Sequence, residues 1–461
     1  MKKWNVDRVT VFLFIAVVSF LYDLTFYLGI RDTTRFPHPF VYFRSLGDLE
    51  YLRGFPGMLR QAMFSLVAGG LIGWASSLVI LKNDWLTGAT IRFLRIAMWF
   101  PFLLAFAVHD TFWLGISATM LAAVYHYLTA RLCLDFSNKD AFPYAVGETA
   151  LQSLFFALLG QAWTTGWAWL SFGANFDAKM GYVVLTLVLT LVFVVNFVFR
   201  RSFLAGCERR LILSNWDSHI SGANSLLGVV MLTIGWLVLW QITCMGLGYD
   251  SLLLVPAIQK VGELLVAHNT WNEILISLAE VGGGLVFGSL IAFVVTAVLS
   301  KSTEASNLVM KILPATYIAP VIVWVLVFFI VFPPGASSNW QWYRSFFLGV
   351  GHKMMGVGLL TFFPIIQACW ALRKASVSRR GLIAIADALP VAFIAMCFGE
   401  LYAATAGLGF QMVVESATFK FQESLAWFLI TAIFLSALSA AVSLIVRHAG
   451  LNRAPAVAVD G

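Results

Sequence analysis

Five acidic or basic side chains lie inside otherwise apolar runs of this chain: Asp23, Glu280, Lys353, Asp387 and Glu400. A charge at the centre of a bilayer costs at least ~2.5–3.5 kcal/mol on insertion scales, so such groups line a route for a solute or proton, or pair with one another. Glu280 and Glu400 stand out, because each sits in the interior of an apolar stretch and needs a partner such as Lys353 or a wet cavity. A structural ion pair is the alternative to a functional role for both. His126 and His352 have the chemistry to carry protons, although a lone membrane histidine also serves as a packing residue.

Recognisable catalytic patterns are missing. The stretch GVGHK from Gly349 to Lys353 is not the phosphate loop GxxxxGK[ST], and neither HExxH nor GxSxG occurs. The expectation is a protein that is not an enzyme, holds no metal or cofactor, and relies on another polypeptide for any nucleotide hydrolysis. Cys133, Cys207, Cys244, Cys369 and Cys397 are odd in number and widely spaced with no CxxC, so they read as reduced apolar fillers.

The elements that must position these residues follow from composition. Of 461 residues, 60% are hydrophobic and 11% charged, where a soluble domain carries about 25% charged residues. Apolar runs at 9–30, 62–81, 93–108, 112–130, 148–170, 180–199, 226–246, 274–299, 308–332, 346–370, 381–403 and 424–446 predict an all-α polytopic membrane protein of about twelve transmembrane helices. The first run is too long for a signal peptide and lacks a small-residue cleavage site, so it reads as an uncleaved helix. The net charge of +7 fits basic cytoplasmic loops rather than nucleic-acid binding. Lys and Arg concentrate on the side that holds both termini, which predicts cytoplasmic termini in a bacterial inner membrane. Arg31, Arg35, Arg44 and Arg53 fall on the opposite side.

The chain repeats itself. A charged connection at 206–225 separates a first six-helix half, 1–205, from a second, 226–461. Ser65 precedes glycines at 69, 70 and 73, and Ser277 precedes glycines at 282, 283, 284 and 288; each half then has a proline in its third helix, Pro101 and Pro314. The serines lie 212 positions apart and the prolines 213. Six is even, so the two halves are expected to be parallel repeats in the membrane. Gly69 with Gly73, and Gly284 with Gly288, have the spacing that lets helix backbones approach closely. Pro101, Pro314, Pro320, Pro364 and Pro390 free backbone carbonyls, marking either a lined pathway or simple kinks.

In the second half, LVPAIQKVGELL (Leu254 to Leu265), SLAEVGGGLVFGSLIAF (Ser277 to Phe293), LPATYIAPVIVWVLVFF (Leu313 to Phe329) and GELYAATAGLGF (Gly399 to Phe410) resemble successive blocks of ABC importer permeases of the nitrate/sulfonate/taurine/bicarbonate branch. The first half keeps the glycine cluster, FPFLLAF and AFPYAVGETAL. The resemblance implies a type I ABC importer permease-like fold. It also implies a translocation pathway lined by Glu280, Pro314, Pro320, Glu400, Gly407 and Gly409, with Glu280 standing where the family usually has arginine. The family receives the ATPase stroke through a cytoplasmic helix between its fourth and fifth spans. Here that loop is only ALRKASVSRR (Ala371 to Arg380), and its first-half counterpart, Thr129 to Tyr144, also lacks Glu-Ala-Ala. The coupling positions are then Arg373, Lys374, Arg379, Arg380, Asp135 and Lys139.

Two functions follow as expectations. One is the permease component of an importer for a small anionic solute, with membrane lipid, separate ATPase subunits and a solute-binding protein as partners. The other is a permease-derived structural or regulatory subunit of a larger membrane complex, which has lost ATPase coupling.

Overall fold

Where water is absent, only a helix satisfies every backbone N–H and C=O within one segment. The computed structural model describes residues 55–108, 112–132, 223–299, 377–403 and 406–448, most of 141–157, and positions 354, 357, 358, 361, 365 and 366. Among the described residues the chain is all-helical. Ten helices follow in order: α1 (Phe55–Ile80), α2 (Asp84–Ala97), α3 (Phe100–Val108), α4 (Phe112–Leu132), α5 (Ala223–Leu247), α6 (Leu254–Val266), α7 (His268–Leu299), α8 (Val377–Ala403), α9 (Leu408–Ala417) and α10 (Phe421–His448). Residues 141–150 are also helical. Five segments are long and apolar enough to cross a bilayer: Leu59–Ile80, Asp84–Ala105, Leu227–Gly246, Asn269–Ala297 and Phe421–Val442. The protein is a multi-pass membrane protein. The predicted runs at 9–30, 180–199 and 308–332 lie outside the described residues.

One predicted boundary differs. The run at 93–108 starts in the middle of α2, which begins at Asp84 because the Asn83 side chain accepts from the Leu86 N–H at 3.1 Å and caps it. Arg92 and Arg95 therefore belong to a helix rather than a loop. The break falls at Met98–Trp99, and Pro101 follows in the first turn of α3, where its missing N–H leaves no bond unmade. Pro390 by contrast lies inside α8, freeing the Ala386 carbonyl.

Two helix contacts are made by glycine. A Cβ on Gly69 would lie 2.5 Å from the Ile116 carbonyl oxygen, and one on Gly73 would lie 2.6 Å from that of Met120. The contact climbs four residues on each helix in the same sense, so α1 and α4 run parallel with backbones touching. On α7, a Cβ on Gly284 would lie 3.0 Å from the Met354 carbonyl oxygen, and one on Gly288 would lie 2.6 Å from that of Gly358. The glycines are 215 positions apart, and the carbonyls they meet are 238 apart, in both cases. In this register Ser65 corresponds to Glu280 and Ala62 to Ser277, so the two serines matched at 212 do not occupy equivalent places.

The largest core joins early and late segments. α3 packs against α8, α9 and α10, with Phe100 edge-on to Phe428 at 6.3 Å between centroids. Ser424 of α10 donates to the carbonyls of Met412, 2.6 Å away, and Ala107, 3.1 Å away, tying α9 and α3 to one hydroxyl. α5 crosses onto α2, where a Cβ on Gly228 would lie 2.7 Å from Ala89 Cβ.

Candidate functional site

Two fully buried carboxylates, Glu280 and Glu400, lie near the start of α9. α8 ends at Ala403 and the chain re-enters helix at Leu408 inside the protein, so the first N–H groups of α9 have no intrahelical acceptor. Gly407 turns the chain there with φ +116 and ψ 167, a conformation essentially confined to glycine. Its side-chain position is filled by the Glu400 carboxylate, which a Cβ would overlap.

Three consecutive N–H groups at this terminus each find a side-chain acceptor. Gly407 donates to Glu273 Oε2 at 2.5 Å, Leu408 to Ser277 Oγ at 2.8 Å, and Gly409 to Glu400 Oε2 at 2.5 Å. The Ser277 hydroxyl in turn donates a hydrogen bond to Glu400 Oε1. α7, α8 and α9 are thereby knotted through one serine and two carboxylates. The terminus carries partial positive charge, so acidic groups there are favourable, and an unsatisfied N–H at this depth costs several kcal/mol. That cost is a sufficient reason for carboxylates to occur here. Glu400 and Ser277 are fully buried, at 0% exposure. Gly409 is confined too, since a Cβ would sit 2.8 Å from Cys397 Cα.

Glu280 lies three residues past Ser277 on the same face of α7 and is also at 0% exposure. Glu280 and Glu400 both lie within electrostatic range of Cys397. The structure thus gathers Glu280, Glu400, Gly407 and Gly409 around one helix junction. Sequence reasoning missed Glu273. Its signal was available: Glu273, Ser277 and Glu280 are spaced i, i+4, i+7, but the apolar run was started at 274, one residue too late.

Pro314, Pro320, Arg373, Lys374, Asp135, Lys139, Lys353, His352 and Asp23 lie outside the described residues, and Asp387, Arg379 and Arg380 are described in their backbone alone. His126 of α4 faces Glu148, Nε2 to Oε2 at 3.9 Å, with side chains 3% and 10% exposed. The His126 ring meets Tyr144 edge-on at 6.3 Å. Among the described residues no group of three His, Cys, Asp or Glu side chains is arranged to hold a metal ion.

Comparison with protein-family models, curated proteins and solved structures finds no match for this chain.

Proposed function

We propose that this chain is the transmembrane component of an ABC-type importer for a small anionic solute, built as two parallel six-helix permease units and driven by separate ATPase subunits. One observation carries the reading: the recurrence of the glycine contact at 215 and 238 positions in both halves. Fixed offsets in both contacting helices are what duplication of a whole helical unit leaves behind, and composition alone does not produce them. Position 62 and its counterpart 277 extend the match. The Ala62 carbonyl accepts from Ser153, in the helical stretch that starts at 141, and Ser277 donates to Glu400 of α8, so each meets a later segment of its own half. The order of the blocks from Ser277 to Gly409 supports the permease class, a likeness of pattern that carries less weight for mechanism.

A second reading is favoured by the connection lengths. α8 begins at Val377, so four residues of Ala371 to Arg380 already belong to it. In the first half α4 reaches Leu132 and residues 141–150 are helical, and residues 133–140 lie outside the described residues. A two-turn coupling helix needs ~7 residues before caps and connections. The ten residues from Ala371 to Arg380 are too few for such a helix with its connections, and Thr129 to Tyr144 lacks Glu-Ala-Ala, which supports a permease-derived subunit that has lost ATP coupling and serves a larger membrane complex.

Purification from native membranes separates the readings. The importer copurifies with a Walker-motif ATPase at fixed stoichiometry, and reconstituted vesicles take up solute only with ATP. Isolation with other membrane subunits and no ATPase, from cells that express one, overturns the importer and supports the second reading.

A further inference from the structure

We propose that α6 is an interfacial helix, lying in the lipid headgroup boundary with Val255, Ile258 and Val266 in lipid and Gln259, Lys260 and Glu263 in water. The spans on either side fix its depth. One apolar span ends at Gly246 and the next begins at Asn269, so the residues between them lie at one face of the membrane. α6 has 13 residues, about 20 Å of helix at 1.5 Å per residue, too short for a hydrocarbon core of about 30 Å.

The helix is pinned at both ends by its neighbours. It has no cap of its own; instead Gln241 of α5 accepts from the N–H groups of Leu254 at 2.8 Å and Val255 at 3.3 Å. At the other end Trp271 of α7 donates from Nε1 to the Leu265 carbonyl at 2.9 Å. These bonds set its rotation as well as its place.

Its circumference then divides into three sectors. With Val255 taken as zero and ~100° per residue, Leu254, Ala257, Val261, Leu264 and Leu265 occupy roughly 180° to 280°. Leu254 and Ala257 are buried, and the other three pack on the core cluster. Ile258, Gly262, Val255 and Val266 continue from there at roughly −60° to +20°, and Gln259, Glu263, Pro256 and Lys260 complete the circle at roughly +40° to +140°. The apolar flank points away from the protein: Val255 and Ile258 are each 55% exposed and Val266 88%. On the flanking membrane spans Ile242 and Met245 of α5 and Leu275 of α7 are exposed apolar residues as well. On the polar flank Lys260 bonds Glu263 at 2.6 Å and lies within electrostatic range of Glu423 at the start of α10. Tyr249 and Trp271, both partly exposed beside the two ends of α6, are the residue types that collect at the membrane–water boundary.

The test uses spin labels on single added cysteines at 255, 258 and 266 and at 259 and 263, with the parent chain's own labelling subtracted, in nanodiscs of phosphatidylcholine and phosphatidylglycerol. Collision with oxygen, which concentrates in lipid, is compared with collision with a water-soluble nickel chelate. The expected result is oxygen-dominated relaxation at 255, 258 and 266 and a severalfold rise in nickel accessibility at 259 and 263, switching within one helical turn. Two results overturn the proposal: equal nickel accessibility at all five positions, which puts both flanks in water, or protection of 255, 258 and 266 from both reagents, which means another protein covers them. The labels sit on exposed positions, and Lys260→Met, which leaves the apolar flank untouched, serves as a folding control that keeps the pattern at 258 and 266.

Discussion

Replacing Gly407 by alanine is the sharpest perturbation of the helix junction. The residue holds φ +116 and ψ 167, and placing a non-glycine residue there costs about 1–3 kcal/mol of backbone strain. The new Cβ also overlaps the Glu400 carboxylate, which must move off Ser277 Oγ or the Gly409 N–H. Each buried donor left unmade adds about 1–3 kcal/mol. The total is roughly 2–6 kcal/mol, large against the usual effect of a point substitution. The assay is unfolding in mixed detergent–SDS micelles followed by tryptophan fluorescence, on a cycle of Gly407→Ala, Glu400→Ala and the pair. In the Glu400→Ala background the collision is gone and the strain remains, so Gly407→Ala costs about 1–3 kcal/mol less there. A cost within about 0.5 kcal/mol of the parent, or the same cost in both backgrounds, refutes the geometry described for this junction.

Other outcomes follow from the same contacts. Ser277→Ala, which strips the Leu408 N–H and Glu400 of their shared hydroxyl, is expected to destabilise by about 1–3 kcal/mol in the same micelle assay. Gly73→Val drives a branched side chain against Met120 and Ala123 and costs about 1–3 kcal/mol or more. Gly235→Ala, with no atom within 4 Å of the new Cβ, should be neutral or stabilising by up to about 1 kcal/mol. Glu263 holds the Lys260 amine above its ordinary range, mainly through their hydrogen bond. A raised amine pKa means less free amine at mildly alkaline pH, so Glu263→Gln is expected to speed acylation of Lys260, measured by mass spectrometry.

Hydropathy located what lipid dictates. The apolar runs at 62–81, 112–130, 226–246, 274–299, 381–403 and 424–446 fall on α1, α4, α5, α7, α8 and α10, because twenty consecutive apolar residues have one stable form in a bilayer. What escaped was set by polarity on a shorter scale. α2 carries Asp84, Arg92 and Arg95, and its start is written in the cap Asn83 rather than in hydropathy. α6 and α9 have 13 and 10 residues, below the length at which hydropathy separates a helix from a loop. At the site, Glu400 and Glu280 were conspicuous as buried charges, but hydropathy could not tell that the Gly409 N–H and the Ser277 hydroxyl were partners of Glu400. That partner set depends on the chain re-entering helix at Leu408, and the positive φ of Gly407 is visible only in coordinates.

The knot at Ser277 also has a mechanical meaning. A helix end held by three bonds to two neighbours cannot slide against either without breaking several at once. Force applied where α8 starts, at Val377, is therefore passed along its length into α7 and α9 instead of being dissipated at the turn. At the Met98–Trp99 break the chain turns on backbone bonds, from the Met98 N–H to the Leu94 carbonyl and from the Trp99 N–H to that of Ile96. In any movement between two shapes, α7, α8 and α9 travel together as a lever.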